Sequence, residues 1–476
     1  MGLHGKIPAL GNLGAPGLRL PEDWLHYGYN FVFNNTYCQY IYCVPEDGFL
    51  LKAFSRRRQR KAELMADSSG AAQIPMLRAY SEQFQSEGPR AVSDRRGRLF
   101  MEICKPKKVT RKQIAQEYDL RPGTVSALVL QLIERGLVDE GRPSTLHKKG
   151  RPEILLRPVL SRLGVLVVHV VSQTVHATLV DLSGRELCSR SEEVSTEHVS
   201  NTDLEDLFIR MATQISEEAP KKTEIVGISF SLPGIVDENN NRWVFATSRW
   251  QNIQNMDFSE ISQKLGLNVV VNKNLNCELR ARIARRGEKD SSNILFIHWG
   301  HGIGASYSMN GTTLVSGNGG FGEIGHTHVP RQGRVRCRCG LDNCLETQAA
   351  LWALLPDLRT LYPEIPVDEW SFEAFLKETR DFDISQLEGA INSMAVAMRN
   401  LTLILSPHQI VLTGPFVQHG GIFERLCEAF REVLPSRSNL FALSSASVVA
   451  ARAGTEDEII GAAYPLFAQA IRELCS

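Results

Sequence analysis

The chain of 476 residues is short of three things. It has no apolar run of about 18 residues or more, so a hydropathic membrane-spanning helix is excluded. No continuous apolar segment follows the start, so a secretory signal is not indicated and a cytoplasmic location is the expectation. Cysteine is sparse, with 10 residues, too few for a disulfide framework in a chain of this length. Net charge is also absent, with 53 basic and 53 acidic residues, although the balance is uneven along the chain. What remains is 43% hydrophobic and 22% charged, an ordinary globular composition with room for two or three domains.

Residues 1–90 show no sustained helical or strand period. They hold an aromatic patch, HYGYNFVFNNTYCQYIY, a basic run, RRRQRK, and a polar stretch. They read as a poorly ordered extension. Residues 93–157 carry 15 Lys and Arg against 8 Asp and Glu, a net of +7 beside an acidic remainder. That asymmetry points to nucleic-acid contact.

The basic segment, residues 91–158, reads as a compact helical unit. A first helix over 94–103 turns Leu99, Phe100 and Ile103 inward. Thr110 and Gln113 form a capping box for a second helix, which continues with Ile114, Ala115 and Tyr118. Pro122 is tolerated in the first turn of a third helix, and Gly136 stops it. In that helix Val125, Leu128, Val129, Leu132 and Ile133 fall on one face. Leu137 and Val138 then open a strand. Helix, turn, helix and strand is the order of a winged helix-turn-helix, with the third helix in the major groove. Lys112, Arg121, Gly123, Thr124 and Ser126 are the candidate DNA contacts. The following HKKGRPEILLRP adds Lys148, Lys149 and Arg151, whose Gly-Arg-Pro turn is slim enough for a minor groove.

From residue 159 the character changes. Strands are expected at 164–171, 176–182, 225–230, 268–272, 293–298 and 409–414. Helices are expected over stretches such as 203–217, 257–265, 345–355 and 386–405. The result is an α/β body with mixed sheets, in two lobes. Within it, Cys337, Cys339 and Cys344 stand together in CRCGLDNCLE, and His326 precedes them by 11 residues in EIGH.

Four stretches now line up in order: GISFSLPGIVD (227–237), HWGHGIGASY (298–307), EIGH followed by CRCGLDNCLE, and SPHQIVLTGP (406–415). Together they resemble the ROK family of repressors and sugar kinases, among them xylose and N-acetylglucosamine repressors. Asn343 stands where that family usually has Gly, and Asn tolerates the same left-handed backbone. The resemblance implies an actin-like, RNase H-type two-lobed body. It also implies one zinc held by His326, Cys337, Cys339 and Cys344. The chemistry agrees, since one imidazole and three thiolates make a closed tetrahedral set without an open catalytic position.

The family divides into kinases and regulators, and the resemblance allows both to be compared here. Kinases open the body with a D-x-G-G-T-type phosphate loop. In this chain His169 takes the Asp place, and Val171 and Ser172 take glycine places. The kinase general base, the Asp of E-N-D-A, matches Asn274, and Lys273 matches the preceding Asn. A neutral amide cannot take up a proton. The glycines of GHGIGA (300–305) are kept. The sugar-holding positions of the family fall on Glu323, His326 and Glu346. Gly234, Ser248, Lys273 and Asn274 complete the candidate effector site, with Ser248 and Lys273 departing from the usual residues. Lys273 opens the option of a phosphorylated or acidic ligand. The expectation is a non-enzymatic, sugar-responsive repressor that binds operator DNA as a homodimer or homotetramer and is released by a sugar or sugar-phosphate effector. A kinase with an appended domain, or a regulator gated by a protein partner, are the alternatives.

Overall fold

The structure is a computed structural model, and it describes residues 30–31, 43–44, 92–105, 109–143, 154–194, 199–246, 250, 252–285, 292–329, 335–379, 382–434, 446–452 and 454–475. The chain forms two compact units, residues 1–71 and 72–476. The described part of the first is one antiparallel pair, Asn30–Phe31 with Cys43–Val44. The RRRQRK run lies outside the described residues.

The second unit begins with helix Val92–Cys104 (α1), strand Val109–Thr110 (β1), helices Arg111–Glu117 (α2) and Pro122–Glu134 (α3), and strands Val138–Pro143 (β2) and Ile154–Pro158 (β3). The strands pair antiparallel in the order β1-β3-β2. Thr110 caps α2, accepting from the Gln113 amide while the Gln113 side chain accepts from the Thr110 amide. Two otherwise unpaired donors are thereby satisfied at the helix start. Val125, Leu128, Val129 and Leu132 are buried along α3 as their spacing requires, whereas Ile133 sits half-buried at the edge of that face. Gly136 ends the segment at φ +72°, a conformation that suits a residue without Cβ.

The next sheet is built from Leu163–Val171 (β4), Thr174–Asp181 (β5) and Glu186–Glu193 (β6), then helix Asn201–Glu218 (α4) and strand Glu224–Leu232 (β7). Short strands Ile235–Asp237 (β8), Arg242–Phe245 (β9) and Gln254–Asp257 (β10) form a separate meander. Helix Ser259–Leu265 (α5), strand Val269–Lys273 (β11) and helix Asn274–Arg285 (α6) follow. The sheet order is β11-β7-β4-β5-β6, with β4, β7 and β11 parallel and the hairpin strands antiparallel. Helix α4 packs Phe208 against Phe230 and Phe258, with ring centroids 5.1 and 6.2 Å away.

The second lobe holds Ile294–Trp299 (β12), Ile303–Met309 (β13) and Thr312–Thr313 (β14), then helices Glu346–Ala349 (α7), Leu351–Leu361 (α8), Glu369–Glu378 (α9) and Glu388–Leu405 (α10). Strand Gln409–Thr413 (β15), helix Gly420–Val433 (α11) and strand Ser447–Ala450 (β16) complete it, and helix Glu456–Cys475 (α12) returns to pack on β4 and β7 of the first sheet. Its sheet order is β14-β13-β12-β15-β16, again mixed. The helix expected over 345–355 is two helices, because Ala350 adopts an extended ψ of 145°. The helix expected from 257 starts at Ser259, after strand β10.

One apolar core runs through both the N-terminal helical unit and the body. Leu99, Phe100 and Ile103 of α1 and Leu128 and Leu132 of α3 share it with Val165 and Val167 of β4 and with Phe467 and Ile471 of α12. Helix α12 also crosses α6 at very short range. A Cβ added to Gly461 would lie 1.8 Å from the Cys277 carbonyl oxygen, so no larger residue fits without moving a helix. Gly461→Ala is expected to lower unfolding free energy by about 2 kcal/mol or more through overpacking. Chemical denaturation of the variant checks this, with an unchanged midpoint counting against it.

Candidate ligand cleft and metal cluster

A cleft of about 280 Å³ opens where the chain segments after β4, β7, β11, β12 and β15 converge. Gly234, Lys273, Asn274, Glu323, His326 and Glu346 all line it. The structure thus brings together six of the seven expected effector residues, and Ser248 lies outside the described residues. Gly234 adopts φ +91° there. Glu346 opens α7 and accepts from the Ile303 amide at 3.2 Å and from Trp352 Nε1–H at 3.3 Å.

Lys273 is not available as a free cation for an acidic ligand. It is 4% exposed, and its ammonium donates to Glu323 Oε1 at 2.6 Å and to the Phe321 carbonyl at 3.0 Å. The Glu238 carboxylate caps the start of α6, accepting from the Lys273 amide at 2.9 Å and from Asn276 Nδ2–H at 2.7 Å. A carboxylate at a helix N-terminus is favoured by the helix dipole. Asn274, the first residue of α6, reaches the cleft as a hydrogen-bonding amide with no basic lone pair for proton transfer.

Around the position of a kinase phosphate loop, Val170, Val171 and Ser172 line the cleft. Ser172 takes φ +54°, so the left-handed turn persists with a side chain where a glycine would leave space. His169 is 3% exposed and stacks on His176 at 5.0 Å; burial lowers its pKa to about 3, so it is neutral.

Sequence reasoning missed several cleft residues: Phe245, Glu278, His298, Arg338, Trp352, Glu369, Trp370 and Glu458. Those from α6, α9 and α12 had no motif to flag them. Burial raises the Glu278 carboxyl to about 7, with His298 and Arg282 opposing and Asp457 and Glu369 reinforcing. Burial and the neighbouring Glu278 raise Glu458 to about 8, and its hydrogen bond from Ser231 Oγ at 2.7 Å offsets part of this. Aromatic rings beside paired carboxylates and an amide suit a polyhydroxylated ligand, whose C–H face stacks while its hydroxyls donate.

Beside the cleft, His326, Cys337, Cys339 and Cys344 place one ligand atom each within 4.8 Å of all the others. His326 Nδ1 lies 3.4 Å from Cys337 Sγ, and Cys339 Sγ lies 3.3 Å from Cys344 Sγ. These spacings are close to the edge of a tetrahedron with metal–sulfur bonds of about 2.3 Å. The backbone supports the loop: the Cys337 amide donates to the Leu341 carbonyl at 2.7 Å, and the Leu345 amide to Thr327 at 3.0 Å. The four residues could hold a metal ion. No described helix is long and apolar enough to cross a membrane.

Of the expected DNA contacts, Lys112, Arg121, Gly123 and Ser126 are exposed and Thr124 is half-buried, in the first turns of α2 and α3. Lys148, Lys149 and Arg151 lie outside the described residues.

Glu458 supplies a pH test. Its folded pKa stands above the ordinary 4.5, so its contribution to stability is present at low pH and is lost as pH rises from about 4.5 through about 8. Glu458→Gln removes the ionisation and keeps an acceptor for Ser231. The variant should gain on the parent chain by about 2 kcal/mol between pH 5 and 8.5. Parallel melting-temperature profiles for the two proteins would contradict this.

Residues 170–469 match the ROK family. The chain is 26% identical over 345 residues to a putative xylose repressor of Caldicellulosiruptor sp. strain Rt8B.4, covering 69% of this chain and 84% of that protein. It is 25% identical over 320 residues to the dual regulator NagC of Escherichia coli K12, covering 65% and 77%. In structure it is similar to a ROK family transcriptional regulator described as a homolog of E. coli Mlc, with TM-score 0.63 and 22% identity over 81% of this chain and 97% of the other. It also matches a ROK glucokinase of Streptomyces griseus solved with glucose and AMPPNP, with TM-score 0.51 and 18% identity over 63% and 98%. The body therefore has the actin-like, kinase-type fold with mixed sheets, and the chain belongs to the ROK family.

Proposed function

We propose that this protein is a sugar-responsive transcriptional regulator, a cytoplasmic repressor that binds operator DNA through residues 91–158 and is released by a sugar held in residues 159–476. The helical unit acts as a winged helix-turn-helix, with Arg121, Gly123, Thr124 and Ser126 at the major groove, Lys112 on phosphate, and Lys148, Lys149 and Arg151 in the wing. The order of elements and the basic charge support this reading. So do the repressor relatives. A homodimer or homotetramer would present paired heads to a palindromic site.

One observation carries the regulatory part. Helix α12 begins at the cleft, where Gly454, Thr455 and Glu458 line the wall, and its later residues Phe467 and Ile471 share a core with α1 and α3. A helix of 20 residues is about 30 Å long. A ligand that changes how the lobes close would therefore shift the platform under the DNA-binding unit. Absence of catalysis is supported by Asn274 at the base position and by the side chains of Val171 and Ser172 in the turn.

The metal is zinc in this reading, closed by His326, Cys337, Cys339 and Cys344 and structural in role. It ties His326, which lines the cleft, to the loop that leads into Glu346.

A cognate sugar should weaken operator binding, measured by fluorescence anisotropy across a sugar panel. Unchanged affinity with every sugar would sink the induction mechanism. Arg121→Ala should weaken specific binding about tenfold, while Lys148→Ala should lower the salt slope by about one unit. Metal analysis should find one zinc per chain. Removing it with a chelator should lower the melting temperature and abolish the sugar response, and a zinc-free protein that still responds would refute the role.

A further inference from the structure

The GHGIG turn between β12 and β13 keeps the glycines that let a backbone wrap an anion. Two of its amide groups, those of His301 and Ile303, are already used by carboxylates of the same chain. The His301 amide donates to Glu369 Oε1 at 2.5 Å, and His298 Nε2 lies 3.2 Å from that oxygen. A Cβ on Gly300 would come within 2.6 Å of it, so the carboxylate sits directly in the turn. The Ile303 amide donates to Glu346 at 3.2 Å. The side-chain cap of α9 is Asp368, which accepts from the Ser371 amide, and Glu369 instead turns its carboxylate to the glycine turn.

We propose that Glu369 occupies the anion position of the GHGIG turn from within the chain and makes the cleft selective against phosphorylated ligands. The same pattern recurs at two further donors, both of Lys273. Glu238 takes the Lys273 amide at the start of α6, and Glu323 takes the Lys273 ammonium. The other Arg or Lys on the wall, Arg338, lies with its guanidinium 5.4 Å over the Trp352 ring, and Glu346 is its main neighbouring charge. A phosphate entering here meets carboxylates in place of open amides, and the like charges repel at short range. An uncharged sugar has no such conflict, because its hydroxyls donate to the carboxylates that line the wall. The selectivity for an uncharged effector rests on the cleft being the effector site; the occupancy of the turn by Glu369 does not.

The test titrates the full-length parent chain and Glu369→Ala with inorganic phosphate, ADP and glucose 6-phosphate by isothermal calorimetry. The parent should bind none of the three at millimolar concentration, and Glu369→Ala should bind phosphate or ADP at least about tenfold more tightly than the parent. Glu373→Gln removes a charge one turn further along α9 without touching an amide of the turn, and it should not reproduce the gain. Phosphate or ADP binding by the parent, no gain in the alanine variant, or an equal gain in Glu373→Gln each overturns the proposal. If the alanine variant does not fold, Glu369→Gln, equal in shape and lacking the charge, must show a gain in the same direction or the proposal fails. A sugar panel without a hit would undo the effector reading and leave this result intact.

Discussion

The close crossing of α12 over α6 is the contact on which the other arrangements depend. Gly461 lets the helix backbones meet, and Arg282 and Arg285 of α6 then hold Asp457 at the start of α12. With α12 seated, Ser229 Oγ bonds the Ala462 carbonyl, and Ser231 bonds Glu458. The apolar side of the helix is then fixed over β4 and under α1. A shift of this helix would disturb the cleft wall and the support of the N-terminal unit together, because packed interiors transmit displacement instead of absorbing it.

Electrostatics defines the character of the cleft. The fold provides several places where an anion would be welcome: a glycine turn, a helix start and a buried lysine. Each is neutralised internally, by Glu369, Glu238 and Glu323 respectively. Burial, reinforced by neighbouring carboxylates, drives Glu278 and Glu458 toward their neutral forms. The site is thus rich in acceptors without offering a strong attraction to phosphate.

Much of this was legible in the sequence, for reasons that differ by element. The capping box at Thr110 and Gln113 and the spacing from Val125 to Leu132 are local signals, and local structure followed them. The His/Cys cluster was legible as a candidate metal site because thiols and imidazole at short spacing have few other uses. Strand β6, ELCSRSEE, was not legible, since it lies at a sheet edge with mostly exposed side chains and shows no apolar alternation. The break at Ala350 was hidden because leucine and alanine on both sides continue a helical pattern. The pairing of Lys273 was not legible, because its partner Glu323 lies in the other lobe and only folding brings them together. Glu278, Glu369 and Glu458 could not be singled out among many acids, since their meaning comes from burial and from the amides they face.

The shared core also sets a timetable. Leu99, Phe100 and Ile103 emerge from synthesis long before Phe467 and Ile471, which complete their burial. Until then the N-terminal unit leaves part of its apolar face uncovered in the nascent chain. A fragment cut short by a premature stop would lack the cover, and the cell's quality control would meet it as an incompletely folded chain.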